Sequence, residues 1–126
     1  ERVRFHGTQS DVGSFYAQAH LLLLPSTFEG FPNVILEAWA WGCPPLVSRF
    51  GDLPDLVGDG TRGMAVDVTQ EGPLRDALRE LLTDPTPLKQ MADAGYEHVR
   101  ATYPLPTVAA GWAELAKRVH HVGRSS

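Results

Sequence analysis

Glu29 and Glu37 have seven residues between them and stand on either side of a loop-to-helix transition in the stretch Pro25 to Trp41, PSTFEGFPNVILEAWAW. Pro32 has the fixed φ and missing N–H that suit the first turn of a helix, and Val34 to Trp41 continue as core-facing helix material. A helix start with free backbone N–H groups is an anion site. Two carboxylates beside it would suit a ligand that joins a phosphate to a hydroxyl-rich sugar, because carboxylates accept hydrogen bonds from sugar hydroxyls while the N–H groups take the phosphate.

Glu37 is the residue that a purely structural reading does not accommodate. Its neighbours are apolar nearly all round, so the helix is expected to be buried, and a buried carboxylate without partners would be costly. It must have partners or face a wet cleft. The axial rise from Pro32 to Glu37 is only about 7.5 Å, and helical side chains lean back toward the N-terminus, so the carboxylate can reach the helix mouth. The structural alternatives are a buried salt bridge for Glu37 and a helix-capping loop carboxylate for Glu29.

The elements that must position this stretch follow from local pattern. Leu21-Leu22-Leu23-Leu24, stopped by Pro25, reads as a strand covered on both faces of a parallel sheet. It would aim the loop at the carboxyl edge, where open α/β sheets bind ligands. Upstream, Val3-Arg4-Phe5-His6-Gly7 reads as a short strand, and Asp11 or Ser10 would cap a helix running to about Ala19 with Val12, Phe15, Tyr16 and Ala19 on one side. Gly42 and Pro44-Pro45 end the central helix. Leu46-Val47-Ser48 is a third strand, a short helix from Pro54 stops at Gly58, and Gly63 to Val66 is a fourth strand at an edge. Helices are expected over Pro73 to Leu82, over about Pro87 to Arg100, and through Trp112 to about Val119. The alternation predicts an α/β fold, a Rossmann-like parallel sheet with flanking helices.

Glu29-Gly30-Phe31-Pro32-Asn33 and Glu37-Ala38 resemble the E-x7-E signature of retaining glycosyltransferases of family 4, also called glycosyl transferases group 1. Gly42-Cys43-Pro44, Gly51 to Val57, Gly58-Asp59-Gly60 and Gly63 match later segments of that family in order and approximate spacing, so the resemblance runs from Val3 to about Trp112. It implies the C-terminal, nucleotide-sugar-binding half of a two-domain GT-B enzyme that transfers a sugar with retention to an acceptor hydroxyl. By the resemblance, Glu37 is the ribose ligand and Glu29 the donor-sugar ligand and catalytic candidate. Gly30, Phe31, Pro32 and Asn33 form the loop against the transferred sugar, and Val34 adds a backbone amide. No cofactor or metal is implied, helix dipole and positive charge neutralising the diphosphate instead.

The resemblance also implies an acceptor domain and an opening strand-loop with a basic diphosphate clamp, neither of which is in this sequence, so the chain is read as a fragment whose isolated activity would be nearly nil. Arg49 and Arg62 are on suitable loops but do not match the clamp positions. His6 and Gly7, at the carboxyl end of the first expected strand, are donor-binding candidates, His6 touching a nucleobase or being a surface turn histidine. Residues 1–119 would form the partial domain and 120–126 a flexible tail. Alternatives are a non-catalytic nucleotide-sugar-binding module and a nucleotide-sugar epimerase; a dinucleotide oxidoreductase lacks its G-x-G-x-x-G.

At 126 residues, with 43% hydrophobic and 21% charged residues, the composition suits one globular domain. The formal net charge of −4 argues against nucleic acid as the main partner. No apolar run approaches the roughly 18 residues of a membrane span. The single cysteine, Cys43, has no internal disulfide partner, which suits a cytoplasmic protein, and it reads as a small buried hydrophobe. Trp39 and Trp41 read as core. The five histidines form no ligand constellation.

Overall fold

The computed structural model describes residues 2–26 and 33–103. Glu29, Gly30, Phe31 and Pro32, the last expected helix and the tail lie outside the described residues. The element order is α1 (Gly13–Gln18), β1 (Leu22–Leu24), α2 (Asn33–Ala40), β2 (Pro45–Ser48), α3 (Leu53–Val57), β3 (Met64–Val66), α4 (Glu71–Thr83) and α5 (Thr86–Thr102). The strands form one parallel sheet in the order β1-β2-β3, with Leu24 opposite Val47 and Val47 opposite Ala65. Short β2 is buried throughout, as a parallel strand covered by helices on both faces should be.

Side chains alternate across the strands, so two apolar clusters form on opposite faces. Val47 and Ala65 pack with Ile35, Leu36 and Trp39 of α2, Leu53 and Val57 of α3, and Val99 of α5. Leu46 and Val66 pack with Leu81 of α4 and Leu88 and Met91 of α5. Helix α5 therefore serves both faces, its first turns on one and its last on the other. Each fully buried Leu, Ile or Val contributes roughly 1.5–3 kcal/mol.

Where α2 and α3 reach the amino edge of the sheet, glycine ends them. Gly42 has φ +68°, its N–H donates to the Trp39 carbonyl (3.0 Å), and the Cys43 N–H reaches Ala38 O (2.8 Å). Gly58, at φ +65°, closes α3 in the same way, with the Asp59 N–H on Pro54 O. Both are Schellman endings, which require a left-handed residue and satisfy the last carbonyls.

Three expectations need correction. Residues 3–7 form no strand: Phe5 is 95% exposed, and a segment that finds neither a ladder partner nor a face to bury cannot offset its ordering entropy. Among the described strands β1 lies at the sheet's edge rather than covered on both faces, which leaves Leu23 40% exposed. Trp41 is 55% exposed rather than core, because it follows the last turn of α2, while Trp39 is completely buried.

The opposite edge strand is closed by side chains. The Ala65 N–H donates to Asp59 Oδ1 (3.1 Å), Arg49 Nη2 donates to the Ala65 carbonyl (2.8 Å), and Arg49 and Asp59 pair at 3.0 Å. An edge strand whose polar groups are already taken offers no template to another chain.

Candidate functional site

The site forms where β1 and β2 run out at the carboxyl edge of the sheet. Ser48, the last residue of β2, is buried and donates its hydroxyl to the Ser26 carbonyl, fixing the base of the loop that leads into α2. Helix α2 then starts with Asn33 exposed and Val34 and Glu37 half-buried, while Ile35, Leu36, Ala38 and Trp39 face the core. The Asn33, Val34 and Glu37 candidates thus share the first turns of one helix.

Glu37 has a partner that the sequence reading did not assign. The Tyr16 hydroxyl on α1 faces its carboxyl closely enough to shift the titration of both groups. Two contacts one turn apart set this meeting. Gly13 lies directly under the Trp41 indole, so close that a Cβ there would come within 2.5 Å of Trp41 Cζ2. Three residues on from Gly13 is Tyr16, and four residues back from Trp41 is Glu37, each about one helical turn away. Helices touching at both pairs run in opposite directions.

Electrostatics at the pair follow from burial. Desolvation raises the Glu37 pKa above the ordinary glutamate value, and the Tyr16 hydrogen bond acts against that rise. Tyr16 is pushed up to about 12, first by burial and then by the charge and hydrogen bond of Glu37. Burial pushes the Cys43 thiol up to about 11. The Glu37 carboxyl has one neutral donor beside it and, when ionised, lone pairs to spare.

His6 does not stand at a strand end as expected, since no strand forms there. Its ring meets Phe15 of α1 edge-on, 4.7 Å between centroids, and Gly7 is a turn residue at φ +64°. Neither arginine that seemed suitably placed is free. Arg49 is taken up at the β3 edge, and Arg62, just before β3 and hence at the amino edge, donates to Leu56 O at 2.9 Å and lies 5.9 Å over the Trp39 ring. Tyr16 and Ser48 are what sequence reasoning missed. The only signal for Tyr16 was its place on the apolar side of its helix, a pattern that speaks of packing. Among the described residues no group of three or more His, Cys, Asp or Glu is placed to hold a metal ion, and no helix is long and apolar enough to cross a membrane.

Residues 1–98 match the family model described as Glycosyl transferases group 1. The chain is 28% identical over 114 residues to the lipopolysaccharide core biosynthesis glycosyltransferase LpsE of Rhizobium meliloti, spanning 90% of this chain and 34% of that protein. It is 38% identical over 99 residues to the D-inositol 3-phosphate glycosyltransferase of Corynebacterium diphtheriae, 77% of this chain and 23% of that protein. The chain thus spans about a third of the length of the first of these relatives and about a quarter of the second. Among solved structures, sucrose-phosphate synthase of Thermosynechococcus elongatus superposes with a TM-score of 0.69 at 26% identity over 88% of this chain and 28% of its own. HepE of Anabaena, solved with UDP and glucose, shares the fold with a TM-score of 0.76 at 24% identity, over 93% of this chain and 32% of its own. With its parallel sheet and flanking helices, and with the family match over most of its length, the chain belongs to the glycosyl transferases group 1 family.

Proposed function

We propose that this chain is the donor-binding part of a GT-B glycosyltransferase that takes a sugar from a nucleotide diphosphate and transfers it with retention to an acceptor hydroxyl. The observation that carries the reading is Glu37: a half-buried carboxyl in the second turn of α2, the helix that starts at the carboxyl edge, beside a neutral hydroxyl and, when ionised, able to accept from a ribose hydroxyl. Ser48 supports it by anchoring Ser26, at the carboxyl end of β1. The UDP held by a fold neighbour agrees with the same class of donor.

In this reading the bond from the sugar's anomeric carbon to the diphosphate oxygen breaks, the bond to the acceptor oxygen forms on the same face, and the acceptor's proton passes to the leaving phosphate. The protein's part is placement and charge stabilisation. Arg49 and Arg62 are engaged elsewhere and are not assigned to the diphosphate, and in this reading the acceptor would be bound by another domain. Calorimetric titration of the longest natural polypeptide carrying this chain with UDP-glucose, GDP-mannose and ADP-glucose tests the reading. Saturable binding of one nucleotide family is expected; a folded protein that binds none of them would favour a non-catalytic module.

A further inference from the structure

We infer that Tyr16 is a positioning residue for the donor: from α1 its hydroxyl fixes the Glu37 carboxylate at the helix mouth, and the Gly13–Trp41 contact sets the helix register that lets it do so. This rests on the reading of Glu37 as a donor ligand. A half-buried glutamate on a helix has several rotamers, and one that must meet a sugar hydroxyl gains from being held in one of them before the ligand arrives. Tyr16 is suited to this role because it is rigid and remains a neutral donor at any physiological pH. The register is just as specific. Only glycine at position 13 lets the Trp41 indole lie against α1, and that contact lies one turn from the Tyr16–Glu37 pair on both helices.

Among the described residues, the titratable groups around the pair are few. Tyr16 faces Glu37 from α1, Cys43 follows α2 and stays protonated below about 11, and His98 and Arg62 lie at the Trp39 end of the helix. Removing the Tyr16 hydroxyl takes away the one interaction that lowers the Glu37 pKa, so protonation of Glu37 moves to higher pH.

The test uses the longest natural polypeptide carrying this chain, with whichever of UDP-glucose, GDP-mannose and ADP-glucose it binds. Affinity is measured for wild type, Tyr16→Phe, Glu37→Gln and the double variant, and NMR of labelled glutamate carboxyls follows Glu37. Tyr16→Phe is expected to weaken binding roughly 3- to 10-fold, to raise the pH at which Glu37 protonates, and to shift the acid limb of binding with it. In the Glu37→Gln background the same change is expected to do little further. A Tyr16→Phe protein that binds like wild type while Glu37→Gln is defective would overturn the positioning role alone. So would a Tyr16→Phe loss that multiplies in full with that of Glu37→Gln, which marks a general packing effect. If Glu37→Gln itself binds like wild type, the donor-ligand reading fails and this inference falls with it.

Discussion

The two edges of the sheet are built in opposite ways. At the amino edge, α2 and α3 end in closed glycine caps, and Trp39 is fully buried, with its indole N–H on Arg62 O (2.8 Å), its ring edge-on to His98 and Gly95 of α5 pressed against it. At the carboxyl edge Phe50 is exposed, Glu37 half-buried, and no side chain caps the start of α3. One helix, α2, joins the two: its last turn is clamped, while its first residue, Asn33, is exposed. The difference teaches that, if the proposed donor site is at the carboxyl edge, the rigidity it needs is supplied from the opposite edge.

The comparison breaks most severely at Trp39. Trp39→Ala should cost about 3–5 kcal/mol, by cavity formation and by loss of the bond to Arg62 O. Urea unfolding reads the loss. Next comes Gly95→Ala, whose new Cβ would overlap the Trp39 ring and should cost roughly 1–3 kcal/mol by overpacking, or more if α5 cannot shift.

Asp59 gives a smaller effect with a defined pH dependence. Its carboxyl is held below the usual aspartate value chiefly by the Ala65 N–H and also by Arg49. A depressed folded pKa stabilises above the unfolded value of 3.8 and is lost as pH falls through the folded one. Asp59→Ala should therefore cost about 1 kcal/mol at neutral pH and reduce the acid-induced fall in stability. Unfolding curves between pH 2 and 7 would show whether it does. Cys43 gives an effect on reactivity alone: burial pushes its thiol up to about 11 and leaves the sulfur with no exposed surface, so alkylation of the native protein at pH 8 should be slower than in urea by about 100-fold or more.

How much of this was legible in the sequence depended on whether a residue's role is set locally. Gly42, Gly58 and the apolar spacing of α4 and α5 announce themselves, because left-handed turns and helical faces are decided within a few residues. The burial of Trp39 was legible in the same way. Trp41 was not, since two residues on a helix are about 200° apart and face different surroundings. Leu21 to Leu24 read as a doubly covered strand from composition, but coverage depends on which elements lie alongside, and in the structure nothing described pairs beyond β1. Arg49 and Arg62 illustrate the same limit: a loop position gives no sign of whether a guanidinium is spoken for across the sheet. For Glu37 the sequence showed that a partner was needed; only the packing of α1 on α2 showed that it is Tyr16.

The central claim is that the open end of α2 holds a nucleotide sugar through Glu37. Its most direct test is calorimetry of Glu37→Ala against wild type, in the longest natural polypeptide carrying this chain, with the nucleotide sugar that the wild type binds. The account predicts binding weaker by on the order of 1–3 kcal/mol, with the unfolding midpoint preserved by the untouched Trp39 end. Equal affinity in a fully folded Glu37→Ala protein would contradict it.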